Sequence, residues 1–261
     1  MPDRHVALQF DEAGARRVEA MYLTPDIVVQ RARVLDLLAL TPGERVVDLG
    51  CGPALLAVEM ARQVGATGTV EGLDASPSMI ALAQPRVAAL PQVRLRAGEV
   101  TDLPYADAMF EAAVCTQVYE FVADVPRALC ELTRVLAPGG RALVMDTDWE
   151  SCVWRSSDDA RMRRMIDCWE MHCPHPHLPR VLGPWLRNAG FGMVETHVMP
   201  IVNAAFRPDS YSAGAMALIA GYARTHIEEA IVDAWANDLG ALAARGGWFF
   251  SLNRYVFLAR L

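Results

Sequence analysis

"VVDLGCGPALLA", Val46 to Ala57, decides the fold. An apolar run carries an acid, Asp48, then turns through Gly50 and Gly52 and resumes at Pro53 as an apolar segment of helical period. Strand, glycine turn and proline-headed helix in that order open a βαβ unit. The alternation repeats downstream. Strands are predicted at Thr69–Asp74, Val93–Gly98, Phe110–Thr116 and Arg141–Thr147, with Ser76 and Pro77 set to start the second helix and a further helix over Pro126–Leu136. Such alternation implies an α/β, doubly wound, mostly parallel sheet with right-handed crossovers.

After Thr147 the pattern changes. Helical periodicity is predicted over Asp158–Met171, Leu178–Ala189 and a long stretch Asp209–Arg245, with strands at Met193–Val202 and in the closing "WFFSLNRYVFLARL". The expected organisation is one unit over residues 1–261. Residues 1–40 form a helical lid, 41–150 a binding core, and 151–261 helical cap insertions plus the last two of seven strands.

The 261 residues are 53% hydrophobic with a net charge of −7, which fits an ordered globular chain and argues against a nucleic-acid-binding face. The basic run "ARMRRM" (Ala160–Met165) reads as the solvated side of a helix. No apolar run approaches a membrane span, and "MPDRHVALQFDEAGARRVEA" lacks an apolar signal core. Six scattered cysteines without framework spacing read as reduced thiols, so the expected location is the cytoplasm.

In a doubly wound sheet the ligand sits at the carboxyl ends of the strands, where the turn after Asp48 lies. Gly50 and Gly52 permit close backbone approach. A dinucleotide fingerprint would place glycine where Leu55 stands, and the Asp48 carboxylate suits a cationic amine better than a pyrophosphate. Asp74 ends the second strand at the spacing of a ribose-binding acid. Glu99 and the amide of Val100, after the third strand, are placed to meet the edge of an adenine.

At these residues the chain resembles the class I S-adenosylmethionine-dependent methyltransferases, and within them the bacterial group related to the quinone-biosynthesis methyltransferases. The resemblance rests on "DLGCGP", "VEGLDASPSMIALA", "AGEVTDLPY" and "LTRVLAPGGRALVMD" and runs from about Pro42 to Asp148. It implies a Rossmann-like fold and S-adenosyl-L-methionine as cofactor. Asp48 and the Gly50 carbonyl would hold its ammonium and Asp74 its ribose, Ser76 or Met79 would pack near its adenine, Ala75 would contact the cofactor, and Glu99 would accept from the adenine amino group. Thr116 and Gln117 would border the sulfonium, with Tyr22 and Arg31 closing over the carboxylate. Two positions depart from the family pattern: Ala54 replaces a glycine and Glu99 an aspartate. Ala54 is expected to take first-turn helical angles and to narrow the pocket slightly.

"CWEMHCPHPH", Cys168 to His177, concentrates titratable residues. Cys168 and Cys173 are C-x₄-C with no second pair, and Pro174 and Pro176 point successive histidines apart, so no metal is expected. Its position after the fifth strand makes it a candidate substrate wall. Tyr119, Asp148, Trp149, Trp169 and His177 are candidate substrate contacts, and His177 or His172 a candidate base. Exposed loop histidines are the competing reading. The expected activity is methyl transfer to a small-molecule O, N or C nucleophile. The rivals are a cofactor-binding protein without methyl transfer and an NAD-dependent oxidoreductase. Composition leaves the oligomeric state open.

Overall fold

β1 (Arg45–Leu49) is buried from its second residue to its last, as a strand covered on both faces must be. β2 (Thr69–Asp74), β3 (Val93–Ala97), β4 (Phe110–Thr116) and β5 (Leu136–Thr147) join it in parallel, in the order β3-β2-β1-β4-β5. β5 begins at Leu136, earlier than predicted, because Leu136 already pairs with Phe110; the "APGG" segment, with Gly139 at φ +76°, then bulges before the register resumes at Ala112↔Arg141. The computed structural model describes residues 12–261, so the first eleven residues of the predicted lid lie outside the described residues.

Beyond β5 the sheet turns antiparallel. β8 (Phe250–Arg260) pairs with β5 through Arg141↔Arg260 to Thr147↔Arg254, and with β7 (Met193–Asn203) along its whole length. Where β5 ends, the two-residue β6 (Val153–Trp154) takes its place beside Phe250 and Ser251. That short pairing makes eight strands rather than seven.

Helices cover both faces. α2 (Pro25–Leu38), α3 (Leu55–Val64) and α4 (Pro77–Val87) pack one face through Val34, Leu38, Met60 and Ala83, and α5 (Val125–Val135) and α7 (Pro179–Asn188) pack the other through Leu129, Leu132 and Leu186. Each fully buried leucine contributes about 1.5–3 kcal/mol. The starts follow the sequence: the Ser76 hydroxyl accepts from the Met79 amide at 3.3 Å, and Asp124 caps α5 through the Arg127 amide at 3.0 Å.

The cap is a third apolar cluster. α6 (Asp159–Glu170), α8 (Tyr211–Ala223) and α9 (Glu229–Ala244) meet around Trp154, Trp235 and Phe250. The single helix expected over Asp209–Arg245 is two. Thr225 donates its hydroxyl to the Tyr222 carbonyl at 2.7 Å, and the His226 ring stacks on Tyr222 at 4.1 Å, so the free carbonyl end of α8 is satisfied locally and the chain turns. Among the described residues no helix is long and apolar enough to cross a membrane.

Candidate functional site

The strand order reverses between β1 and β4, and there the sheet opens into a cavity of about 320 Å³. Its floor is the strand ends and its roof is α1 (Glu12–Tyr22), α2, α6 and α8.

Asp48 is 2% exposed and lines the cavity; its Oδ2 has no hydrogen-bond partner among the described residues. Burial, and then the charge of Asp74, push its pKa up to about 7. Among the described residues no cation pairs with this buried carboxylate. Gly50, two residues on, has φ +71°, and a Cβ there would stand 2.1 Å from Val118 Cγ2, so no other residue fits. Gly52, at φ +50°, donates its amide to Asp74 Oδ2 at 2.8 Å. Asp74 Oδ1 accepts from the Ser76 amide at 2.8 Å. These two donors offset part of the burial that raises the Asp74 pKa and leave each oxygen a further lone pair.

Ala54 corrects the sequence expectation. It is the N-cap of α3 in the left-handed region (φ 59°, ψ 27°), fully buried, and it does not line the cavity. The helix starts at Leu55, and a side chain at this φ costs on the order of 1 kcal/mol. Gln117 also has a positive φ of 59°, held by its amide to the Met145 carbonyl at 2.7 Å and by the Thr147 hydroxyl to its Oε1 at 2.6 Å.

Of the remaining predicted ligand contacts, Tyr22, Arg31, Ala75, Met79, Glu99, Val100 and Thr116 all line this cavity. Arg31 is already engaged, donating to Glu59 at 3.1 Å and to the Tyr22 carbonyl at 2.6 Å. Burial pushes the Tyr22 hydroxyl up to about 12, so it stays protonated.

The cap residues divide. Trp149, Trp169 and His172 line the cavity, with His172 stacked on Trp169 at 4.0 Å. The His172 Nδ1 lies 2.5 Å from the Trp169 carbonyl, which fixes that nitrogen as the donor, and burial pushes its pKa down to about 4. His172 is therefore a neutral ring of the wall and a weak base. His177, Asp148 and Tyr119 do not line the cavity, against expectation. His177 Nδ1 is 3.1 Å from Asp148 Oδ1, its Nε2 is 3.7 Å from Glu170, and Arg180 donates to both Asp148 oxygens at 2.8 and 3.0 Å. This outer network pins the start of the cap. Tyr119 is fully buried in the sheet core.

Sequence reasoning missed the chemistry beside this wall. Glu120 is 1% exposed, lines the cavity and accepts from Trp149 Nε1 at 2.9 Å. Burial pushes its pKa up to about 7, against the opposing pull of Trp149 and Arg254. Asp146, at the end of β5, accepts from the Val118 amide at 3.1 Å and the Glu120 amide at 3.4 Å; its own pKa is raised by burial and by Glu120. Arg254, on β8, is 2% exposed and also lines the cavity. Tyr211, Leu218 and Ile219 of α8 complete the wall. Among the described residues no three His, Cys, Asp or Glu side chains come together to hold a metal.

A family model described as a methyltransferase domain matches residues 47–144. The 2-phytyl-1,4-naphtoquinone methyltransferase of Trichormus variabilis is 40% identical over 108 residues, which is 40% of this chain and 47% of that protein. The demethylmenaquinone methyltransferase of Symbiobacterium thermophilum is 37% identical over 108 residues, 40% of this chain and 43% of that protein. The chain thus spans less than half the length of these two relatives. Among solved structures, phosphoethanolamine N-methyltransferase 2 of Haemonchus contortus in complex with S-adenosyl-L-methionine superposes with a TM-score of 0.64 at 16% identity, covering 97% of this chain and 57% of that one, a likeness of fold.

Proposed function

From the premise that residues 47–144 are a methyltransferase domain, we propose that this protein transfers a methyl group from S-adenosyl-L-methionine to a small-molecule acceptor. The observation that carries the reading is one cavity in which the Asp48 carboxylate, unpartnered among the described residues, and the Asp74 cradle open towards an aromatic wall holding Glu120. When bound, the cofactor supplies an electrophilic methyl on a sulfonium and its own leaving group. Asp48 would hold the ammonium and the free lone pairs of Asp74 the ribose hydroxyls. Met79, Glu99 and the Val100 amide would meet the adenine, and Thr116 and Gln117 would border the sulfonium.

The chain's remaining work is alignment, exclusion of water and removal of a proton. Trp149, Trp169, His172 and Tyr211 wall the acceptor side and keep water out. Glu120 takes the acceptor's proton, because a carboxylate titrating near neutrality is matched to that task. The names of the naphtoquinone and menaquinone relatives, together with this ring-lined wall, support a flat aromatic acceptor. The lid, core and cap work as one unit. The net charge of −7 supports an acceptor that is not nucleic acid, and six cysteines, all free thiols, support a cytoplasmic setting.

Two measurements test this. Calorimetric titration with S-adenosylmethionine should give micromolar affinity, and Asp74→Ala should weaken it by about 1.5–3 kcal/mol, roughly 10- to 150-fold. An affinity within twofold of the parent would remove Asp74 from the ribose. Labelled methyl transfer to a panel of phenols, quinols and amines should then yield a methylated product. Because His177 stands outside the cavity, His177→Ala should leave turnover within about threefold of the parent. A loss beyond tenfold would return that histidine to the chemistry.

A further inference from the structure

We propose that the methyl acceptor carries an anionic oxygen on its flat apolar body, and that the guanidinium of Arg254 holds that oxygen. The inference rests on the methyl-transfer reading above and deepens it. Arg254 is 2% exposed, and a guanidinium stays charged however deeply it is buried. Its immediate partners are neutral oxygens: NH1 donates to Gln30 Oε1 at 2.7 Å and NH2 to the Tyr211 hydroxyl at 3.2 Å. The third donor, Nε, has no hydrogen-bond partner among the described residues. The Tyr211 ring lies 5.0 Å below the cation, which softens the cost of burial without neutralising it.

The carboxylates of Glu120 and Asp146 act on Arg254 through their charge. Burial raises the pKa of both, which weakens the counter-charge that they offer the guanidinium. A buried cation with an unpartnered donor on the wall of a cavity is stabilised by an anion arriving with the ligand. Its place selects the acceptor side. Arg254 pairs across the sheet with Thr147, at the end of β5, and stands with Gln30 and Tyr211, away from the Asp74 cradle on β2. The neighbouring Trp149, Trp169 and His172 fit a planar ring beside that charge.

The probes are 2-naphthoate, its neutral isostere 2-naphthamide, and 4-nitrophenol, whose yellow anion reports its own ionisation. They are titrated into the protein alone and into protein saturated with S-adenosylhomocysteine. We expect 2-naphthoate to bind at least roughly tenfold more tightly than the amide, the size of one charge-assisted contact, or 4-nitrophenol to bind as its anion with a lowered pKa. The first outcome makes the acceptor's oxygen a carboxylate and the second a phenolate or enolate; either supports the proposal.

Arg254→Gln should bring the carboxylate and amide within about twofold while S-adenosylhomocysteine affinity is kept. If that variant does not fold, Gln30→Glu sets a carboxylate against Arg254 and should abolish the preference with the arginine in place. Equal binding of acid and amide together with un-ionised nitrophenol, or a preference that survives both substitutions, overturns the proposal. Failure of S-adenosylhomocysteine to bind would instead count against the methyl-transfer reading, and the titrations of the protein alone would still decide the role of Arg254.

Discussion

Glu120→Gln should lower kcat by about 10²–10⁴ while cofactor affinity stays within twofold of the parent. Glutamine keeps the shape and can still accept from Trp149 Nε1, so the substitution removes the base and little else. The sign of the pH dependence follows from the raised pKa. Glu120 is protonated and idle below about 7 and ionises above it, so the parent's kcat should rise with pH through that window. The groups facing it are Asp146 on β5, Arg254 on β8, Tyr22 on α1, Tyr211 on α8 and Cys173 after α6, whose thiol burial raises well out of this window. The two tyrosines stay protonated there, because burial raises both, and the arginine stays charged. The limb therefore belongs to the Glu120–Asp146 pair. In the variant the limb should vanish along with the rate. Parental turnover with an intact limb would leave alignment alone to drive the reaction.

Asp48→Asn should produce opposite effects on binding and on stability. The unpartnered carboxylate is the group set to meet the ammonium, and leaving that cation unpaired should weaken cofactor binding by about 10²–10³-fold. The empty protein, however, should become more stable. The folded pKa of Asp48 is raised from 3.8 to about 7, so the folded state holds this proton more tightly than the unfolded chain does. That contribution is present below the unfolded pKa and is lost as pH rises through the folded one. At pH above about 7 the parent bears the full penalty of a buried unpaired charge, on the order of 1–3 kcal/mol, which asparagine avoids. Thermal melts should show the variant several degrees higher at alkaline pH, at about 2–4 °C per kcal/mol, with the gap closing towards pH 4. A variant that binds normally, or that melts lower than the parent across the range, would show that Asp48 is satisfied in some other way.

The cofactor half was legible because its signals are local. Asp48, Gly50, Gly52 and Asp74 owe their places to strand ends and a tight turn, which a few neighbouring residues dictate. The break between α8 and α9 escaped because Thr225 and His226 end a helix through side-chain contacts to Tyr222 that composition does not announce. Ala54 escaped because a left-handed alanine is set by the turn and not by its own preference. On the acceptor side the reading leaned on the histidine cluster, where titratable residues crowd in sequence; His172 does line the cavity, while His177 and Asp148 pair with each other outside it. Glu120 and Arg254 lie far apart in sequence and meet only through the sheet. Arg254 did leave a trace, since it occupies the buried phase of β8 with Phe250, Leu252 and Val256, where a charge is out of place unless something needs it.

β8 lies inside the sheet, with β5 and β6 on one side and β7 on the other. β8 follows β5, β6 and β7 in sequence, so it enters a slot between partners made before it, and Arg254 travels with it. Until that insertion the preceding strands carry two open edges, which is the state most exposed to mispairing with other chains. An acceptor cannot help in this interval, since Arg254 reaches the cavity wall only when β8 is seated. The burden of keeping the nascent protein out of aggregates thus falls on chaperones or on the speed of closure, and its mutations should be felt as lost yield before they are felt as lost turnover.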